Sequence, residues 1–175
     1  MLSGWVIGLA IVTALGTLVS GVMFMGSVLF ADFDTPVVVS SPRDCRLSED
    51  QAAPKLFLAV DVTAISYVYG LDGASPINAR GRKVERVAVV RSLPPLSELD
   101  DAEFLRILRE GEENPSWFRD DVLSGVLVAS VDTGEASGSL GGLKTRWSLG
   151  EPAAAQDLPL GIEFTRSACT VTRTK

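Results

Sequence analysis

The chain contains no histidine. That removes the side chain used most often as a general base near neutral pH, as a metal ligand and as an axial ligand to haem. A Ser-His-Asp triad goes with it. Cysteine is nearly as scarce: Cys45 and Cys169 are the only two, too few to build a structural zinc site by themselves. Charge is missing from a whole region, because Leu2 to Ala31 runs for thirty residues without Asp, Glu, Lys or Arg. A basic excess is missing too. The 16 Lys and Arg stand against 22 Asp and Glu, a net charge of −6. No nucleic-acid partner is expected, since binders of phosphate backbones present a basic face.

The uncharged run is long enough to cross a bilayer. A helix rising ~1.5 Å per residue carries thirty residues over roughly 45 Å, more than the ~30 Å hydrocarbon core requires. A single span must be helical there, because lipid offers backbone amides no partner. Trp5 near one end and Phe30 and Phe33 near the other suit the two interfaces. The expectation is one transmembrane helix over 1–31 in a single-pass protein. A cleaved secretory signal fits poorly, since nothing basic precedes the run and Leu29-Phe30-Ala31 is a weak cleavage site. No cysteine closes the run, so a lipoprotein is not expected either.

Small residues recur along this segment. Gly4 and Gly8 form a GxxxG, Ala10 and Ala14 repeat the spacing, as do Gly16 and Ser20, and Gly26 returns to the face of Gly4 and Gly8. Such spacings let helix backbones approach closely. These seven residues are the helix-packing candidates, and the partners they imply are integral membrane protein subunits within the lipid bilayer. Glycine and alanine are also common in membrane helices that pack against nothing.

The 144 residues after Ala31 suffice for one compact domain. Residues 32–54 read as a proline-containing connector, because Pro36, Pro42 and Pro54 leave no room for a long helix. Val37–Val39 can form a short strand within it. Residues 55–175 read as a small α+β domain with a mainly antiparallel sheet and one covering helix. Lys55–Tyr69 is the strongest strand signal, apolar on both faces and therefore central. Gly70–Gly81 reads as a loop and Val84–Leu93 as a second strand. A helix is expected near 100–110: Asp100 and Glu103 have capping-box spacing, Leu99 and Phe104 staple spacing, and Gly111 can end it. Further strands are expected at Gly125–Asp132, Leu143–Leu149 and Ile162–Thr172. The glycines between 134 and 142 mark a hairpin loop, and 151–159 a surface connection.

Cys45 and Cys169 are a disulfide candidate that closes almost the whole domain, as an oxidising compartment favours. Two unrelated buried thiols are the alternative, and Arg43 and Arg46 after the apolar run tilt a positive-inside count weakly the other way. The domain is expected on the extracytoplasmic, periplasmic face of the inner (cytoplasmic) membrane.

No catalytic, cofactor-binding or metal site is expected. The acidic groups Asp100 and Asp101, Glu110, Glu112 and Glu113, and Asp120 and Asp121 lack the spacing of a calcium loop. Gly142-Leu143-Lys144-Thr145 follows a glycine-rich loop, but a phosphate loop needs glycine directly before the lysine and a helix after it. The basic run Arg80, Arg82 and Lys83, with Arg86 nearby, is a candidate contact for lipid headgroups or a partner, or an ordinary exposed loop. The function expected is a non-catalytic accessory subunit of a larger membrane complex. The alternative is a membrane-tethered periplasmic module binding a ligand, a peptide or an envelope component; an enzyme using carboxylates alone is a distant third.

Overall fold

The computed structural model describes residues 37–50, 52–64, 70–79, 81–114, 124–148 and 153–174. The helix-packing candidates of the 1–31 run, Gly4, Gly8, Ala10, Ala14, Gly16, Ser20 and Gly26, lie outside the described residues, and so does Arg80 of the basic run. Among the described residues no helix is long and apolar enough to cross a membrane.

The described residues form eight strands: β1 (Val37–Leu47), β2 (Lys55–Ala64), β3 (Gly70–Pro76), β4 (Lys83–Val90), β5 (Ser124–Asp132), β6 (Gly138–Ser148), β7 (Ala154–Thr165) and β8 (Ala168–Arg173). They make two four-stranded sheets, ordered β1-β2-β5-β4 and β3-β6-β7-β8. Every pairing is antiparallel. The fold is thus an all-antiparallel sheet domain with one α-helix, α1 (Asp101–Glu113). The expected sheet is two sheets.

Why there are two follows from where apolar residues fall. Leu56, Leu58, Val60 and Val62 of β2 face Leu143 and Trp147 of β6 and Leu158, Leu160, Ile162 and Phe164 of β7 in one buried core. The other side of β2 buries Phe57 and Ala59 against Phe104 and Leu108 of α1, with Leu93, Leu96 and Leu99 from the segment before it. β2 is covered on both faces because one meets the second sheet and the other the helix. β6 needs only one apolar face: Leu143, Thr145 and Trp147 are fully buried, whereas Lys144 and Arg146 are exposed.

The helix starts as its sequence dictates. Asp100 is the N-cap, accepting a hydrogen bond from the Glu103 amide at 2.7 Å. Its end differs, because α1 runs through Gly111 to Glu113. A Cβ at Gly111 would stand 2.9 Å from both Ala88 Cβ and Val90 Cγ1, so this glycine allows the helix to approach β4 and does not stop it. Gly111→Ala is expected to lower stability by about 1–2 kcal/mol, even though alanine favours a helix by up to ~1 kcal/mol. An unchanged or raised urea midpoint would show that the helix can move outward without loss.

Five segments differ from expectation. The hairpin loop expected at the glycines between 134 and 142 is shorter, because β6 begins at Gly138 and contains Gly141 and Gly142. The stretch read as a connector over 32–54 carries the eleven-residue strand β1, an edge strand that tolerates Pro42 because register shifts flank it between Val39 and Ser41 and between Pro42 and Asp44. The loop expected after Gly70 is β3, an edge strand of small residues held by β6. The connection expected at 151–159 contains the start of β7. The strand expected over 162–172 is two, the end of β7 and β8, joined at 166–167.

Candidate functional site

Chemistry-bearing side chains in the described part are mostly committed to holding it together. The largest polar assembly centres on Arg43-Asp44-Cys45-Arg46 in β1. Arg46 Nε donates to the Leu96 carbonyl (3.1 Å), Nη2 to the Leu99 carbonyl (3.0 Å), and Nη1 to Leu47 O (3.2 Å) and Asp101 Oδ1 (2.7 Å). Its guanidinium also lies 4.9 Å from the ring centre of Phe57, which stacks on Phe104 with ring centres 4.4 Å apart. Asp44 Oδ2 accepts from the Leu96 amide (3.2 Å), and Arg43 Nη2 donates to the Leu93 carbonyl (2.6 Å). Three charged residues thereby fix 93–101, a stretch with little regular structure, onto the sheet. Their partners lie some fifty residues away, so no local pattern announces them.

Gln156 is the second anchor. From β7 it reaches across to the first residue of β1: Val37 N donates to Oε1 at 3.1 Å, and Nε2 donates to the Val37 carbonyl. The side-chain amide stands where a neighbouring strand would. Thr145 Oγ1 donates to the Gln156 carbonyl at 3.1 Å.

The disulfide candidate is a bond: Cys45 of β1 is joined to Cys169 of β8, with Cα atoms 5.6 Å apart. It links an edge strand of one sheet to an edge strand of the other.

The basic run is not gathered into one patch. Arg82 donates to the Ser139 carbonyl and lies over the Phe164 ring at 5.1 Å, on the side of the second sheet. Arg86 pairs with Glu112 of α1 at 2.7 Å, on the helix side. Lys83 is exposed at the start of β4.

The acidic candidates also have structural employment. Asp100 caps α1, Asp101 pairs with Arg46, and Glu110 pairs with Arg106 at 2.7 Å. Glu113 is exposed, and Asp120 and Asp121 lie outside the described residues. Among the described residues no three Cys, Asp or Glu side chains are placed to hold a metal ion.

Residues 142–145 lie within strand β6, not before a helix. Lys144 points to solvent beside Asp157, and Thr145 is spent on Gln156. Gly142 sits at a register shift with φ +125°, where a Cβ would meet the Leu158 carbonyl oxygen and stand 2.8 Å from the Leu160 amide nitrogen. Gly142→Ala is expected to cost about 3 kcal/mol or more, because strain and collision with backbone add. Thermal unfolding measures it, and a loss below about 1 kcal/mol would mean that β7 yields locally.

An open cleft of about 650 Å³ lies among the loops at the end of the sandwich opposite the start of β1. Ala52, Pro54, Glu135, Ser137 and Arg166 are among its lining residues. The loops are pinned: the Thr133 hydroxyl lies 2.8 Å from Pro54 O and 2.7 Å from Glu135 O, and Gly134 N donates to Asp132 Oδ1 at 3.0 Å. Smaller clefts of about 450 and 270 Å³ flank β4, one against α1 and one against β3. A pinned, polar loop cluster can bind an extended ligand; its lining offers no nucleophile paired with a base.

No protein-family model, no curated protein and no solved structure matches this chain.

Proposed function

We propose that the protein is a non-catalytic, single-pass accessory subunit of a larger membrane protein complex. Its 1–31 segment packs against integral membrane subunits in the bilayer, and the sandwich braces the extracytoplasmic face. The supporting observation is the way the chain enters the domain. Val37 is fully buried, with both backbone groups bonded to Gln156, and it follows the apolar run after five residues of sequence that include Asp32 and Asp34. The first described strand is thus tied to the core from its first residue, as suits a bracing domain. The Cys45–Cys169 bond supports the oxidising side of the inner membrane.

Leucine at Gly4, Gly8 and Gly26 is expected to reduce co-purification of membrane partners by tenfold or more while the domain stays folded, since close helix approach is lost. Quantitative mass spectrometry after mild detergent extraction reads this out. Unchanged association would remove the helix from the interface.

A second reading, a tethered module for a ligand, peptide or envelope component, is favoured by the pinned loop cleft. It requires a fragment starting at Asp34, where the compact unit begins, to bind without the apolar segment. A fragment cut at residue 40 would remove the buried Val37 and Val39.

A further inference from the structure

The strands joined by the disulfide are held very differently. β1 has nine register pairs with β2, buried side chains at Val37 and Val39, and the bonds of Arg43, Asp44, Arg46 and Gln156. β8 has one hydrogen-bonded strand partner, β7, with six register pairs, and it otherwise lies beside β1 without pairing to it. None of its six residues is buried, and Cys169 and Val171 reach the core only partly. The conformational entropy of ordering six residues is comparable to what a short ladder of hydrogen bonds returns. The covalent link offsets that deficit by restricting the undocked strand, which it ties to β1 at Cys169 in addition to the chain connection through 166–167.

We propose that Cys45–Cys169 is a redox-operated latch on β8. With the bond intact the strand completes the second sheet. With the bond reduced it leaves, the other seven strands stay folded, and the edge of β7 over residues 160–165 is uncovered. The reductant is a dithiol. One of its thiolates attacks Cys169 Sγ, the more exposed of the two sulfur-bearing residues, since Cys45 is 6% exposed and Cys169 half-buried. The protein S–S bond breaks, a mixed disulfide forms at Cys169, and Cys45 departs as a thiolate that takes up a proton. The second thiol of the reductant then attacks the mixed disulfide, and Cys169 departs and is protonated likewise. Two electrons have passed to the protein, and the reductant ends as a disulfide.

Hydrogen exchange by mass spectrometry on the full chain in detergent micelles, before and after treatment with dithiothreitol, tests this. Amides of 168–173 are expected to exchange about 100-fold faster or more after reduction, approaching unstructured chain, while those of β2 and β5 remain protected. Cys45→Ser with Cys169→Ser must give the same pattern without reductant. Persistent protection at 168–173 would show that β7 pairing alone holds the strand. Loss of protection in β2 and β5, or a double variant that cannot fold, would make the bond a staple for the whole sandwich. Each of these results overturns the latch.

Discussion

Replacing Cys45 and Cys169 together by serine is expected to lower the free energy of unfolding by about 5 kcal/mol. The bond spans 124 residues, so it removes most of the conformational freedom of the denatured domain; loop-closure entropy at that separation has this size. The effect acts on the unfolded chain, and the denaturation curve carries a second signature. Without the cross-link the denatured ensemble expands, and the dependence on guanidinium should steepen while the midpoint falls. The strands other than β8 are not required to change, because β1 keeps its pairing with β2 and its hydrogen bonds to 93–101. A double variant within about 1 kcal/mol of the parent, with unchanged slope, would mean that the denatured domain keeps the two strands together unaided. Domains of this size are stable by roughly 5–15 kcal/mol in total. Loss of the bond thus leaves a folded but much weakened sandwich.

Arg46→Ala is expected to cost about 3 kcal/mol. The side chain is only 19% exposed and its partner Asp101 25%, so removing it strands the Leu96 and Leu99 carbonyls and the carboxylate where little water reaches. The cation over Phe57 is lost as well. Lysine should recover less than a third of the loss, because a single ammonium cannot meet three carbonyls and a carboxylate set around a planar fork. Paired Arg46 and Asp101 substitutions in a double-mutant cycle should show about 1–2 kcal/mol of coupling in urea titrations. Arg46→Ala within about 0.5 kcal/mol of the parent would show that water takes over the carbonyls and that 93–101 is held by apolar contacts alone.

What could be read from the chain beforehand divides along physical lines. β2 and β6 were legible because burial imposes a pattern: a strand covered on both faces is apolar throughout, and one covered on a single face alternates. The start of α1 was legible because the Asp100 side chain satisfies the Glu103 amide within one turn. The cysteine pairing was legible from number and placement, there being only two, one towards each end of the domain.

Edge strands were harder. β3 is Gly70–Pro76, residues with little strand preference, and it is a strand because β6 lies beside it. β1 hid behind Pro42 and its charges, whose partners lie near residue 96. β7 carried a signal that was available: Gln156, Leu158, Leu160, Ile162 and Phe164 are buried, while Ala155, Asp157, Pro159 and Glu163 are exposed. That period of two was masked by the alanine run and Pro159, which resemble a loop. Gly111 shows the reverse error, a helix stop by composition that is a close packing contact in space. Of the candidate site residues, Arg82 and Arg86 form one run in sequence but serve opposite faces of a sheet. Gln156 could not be singled out, because its partner is the backbone of Val37, 119 residues away.

Purification of the full chain from its own membranes in mild detergent, with mass spectrometry of the proteins that accompany it, tests the accessory-subunit assignment most directly. The predicted result is a stoichiometric set of integral membrane partners, lost when Gly4, Gly8 and Gly26 are replaced by leucine, with Cys45 and Cys169 oxidised in the purified assembly. A chain that emerges alone, folded and with no partner under any mild extraction, contradicts it.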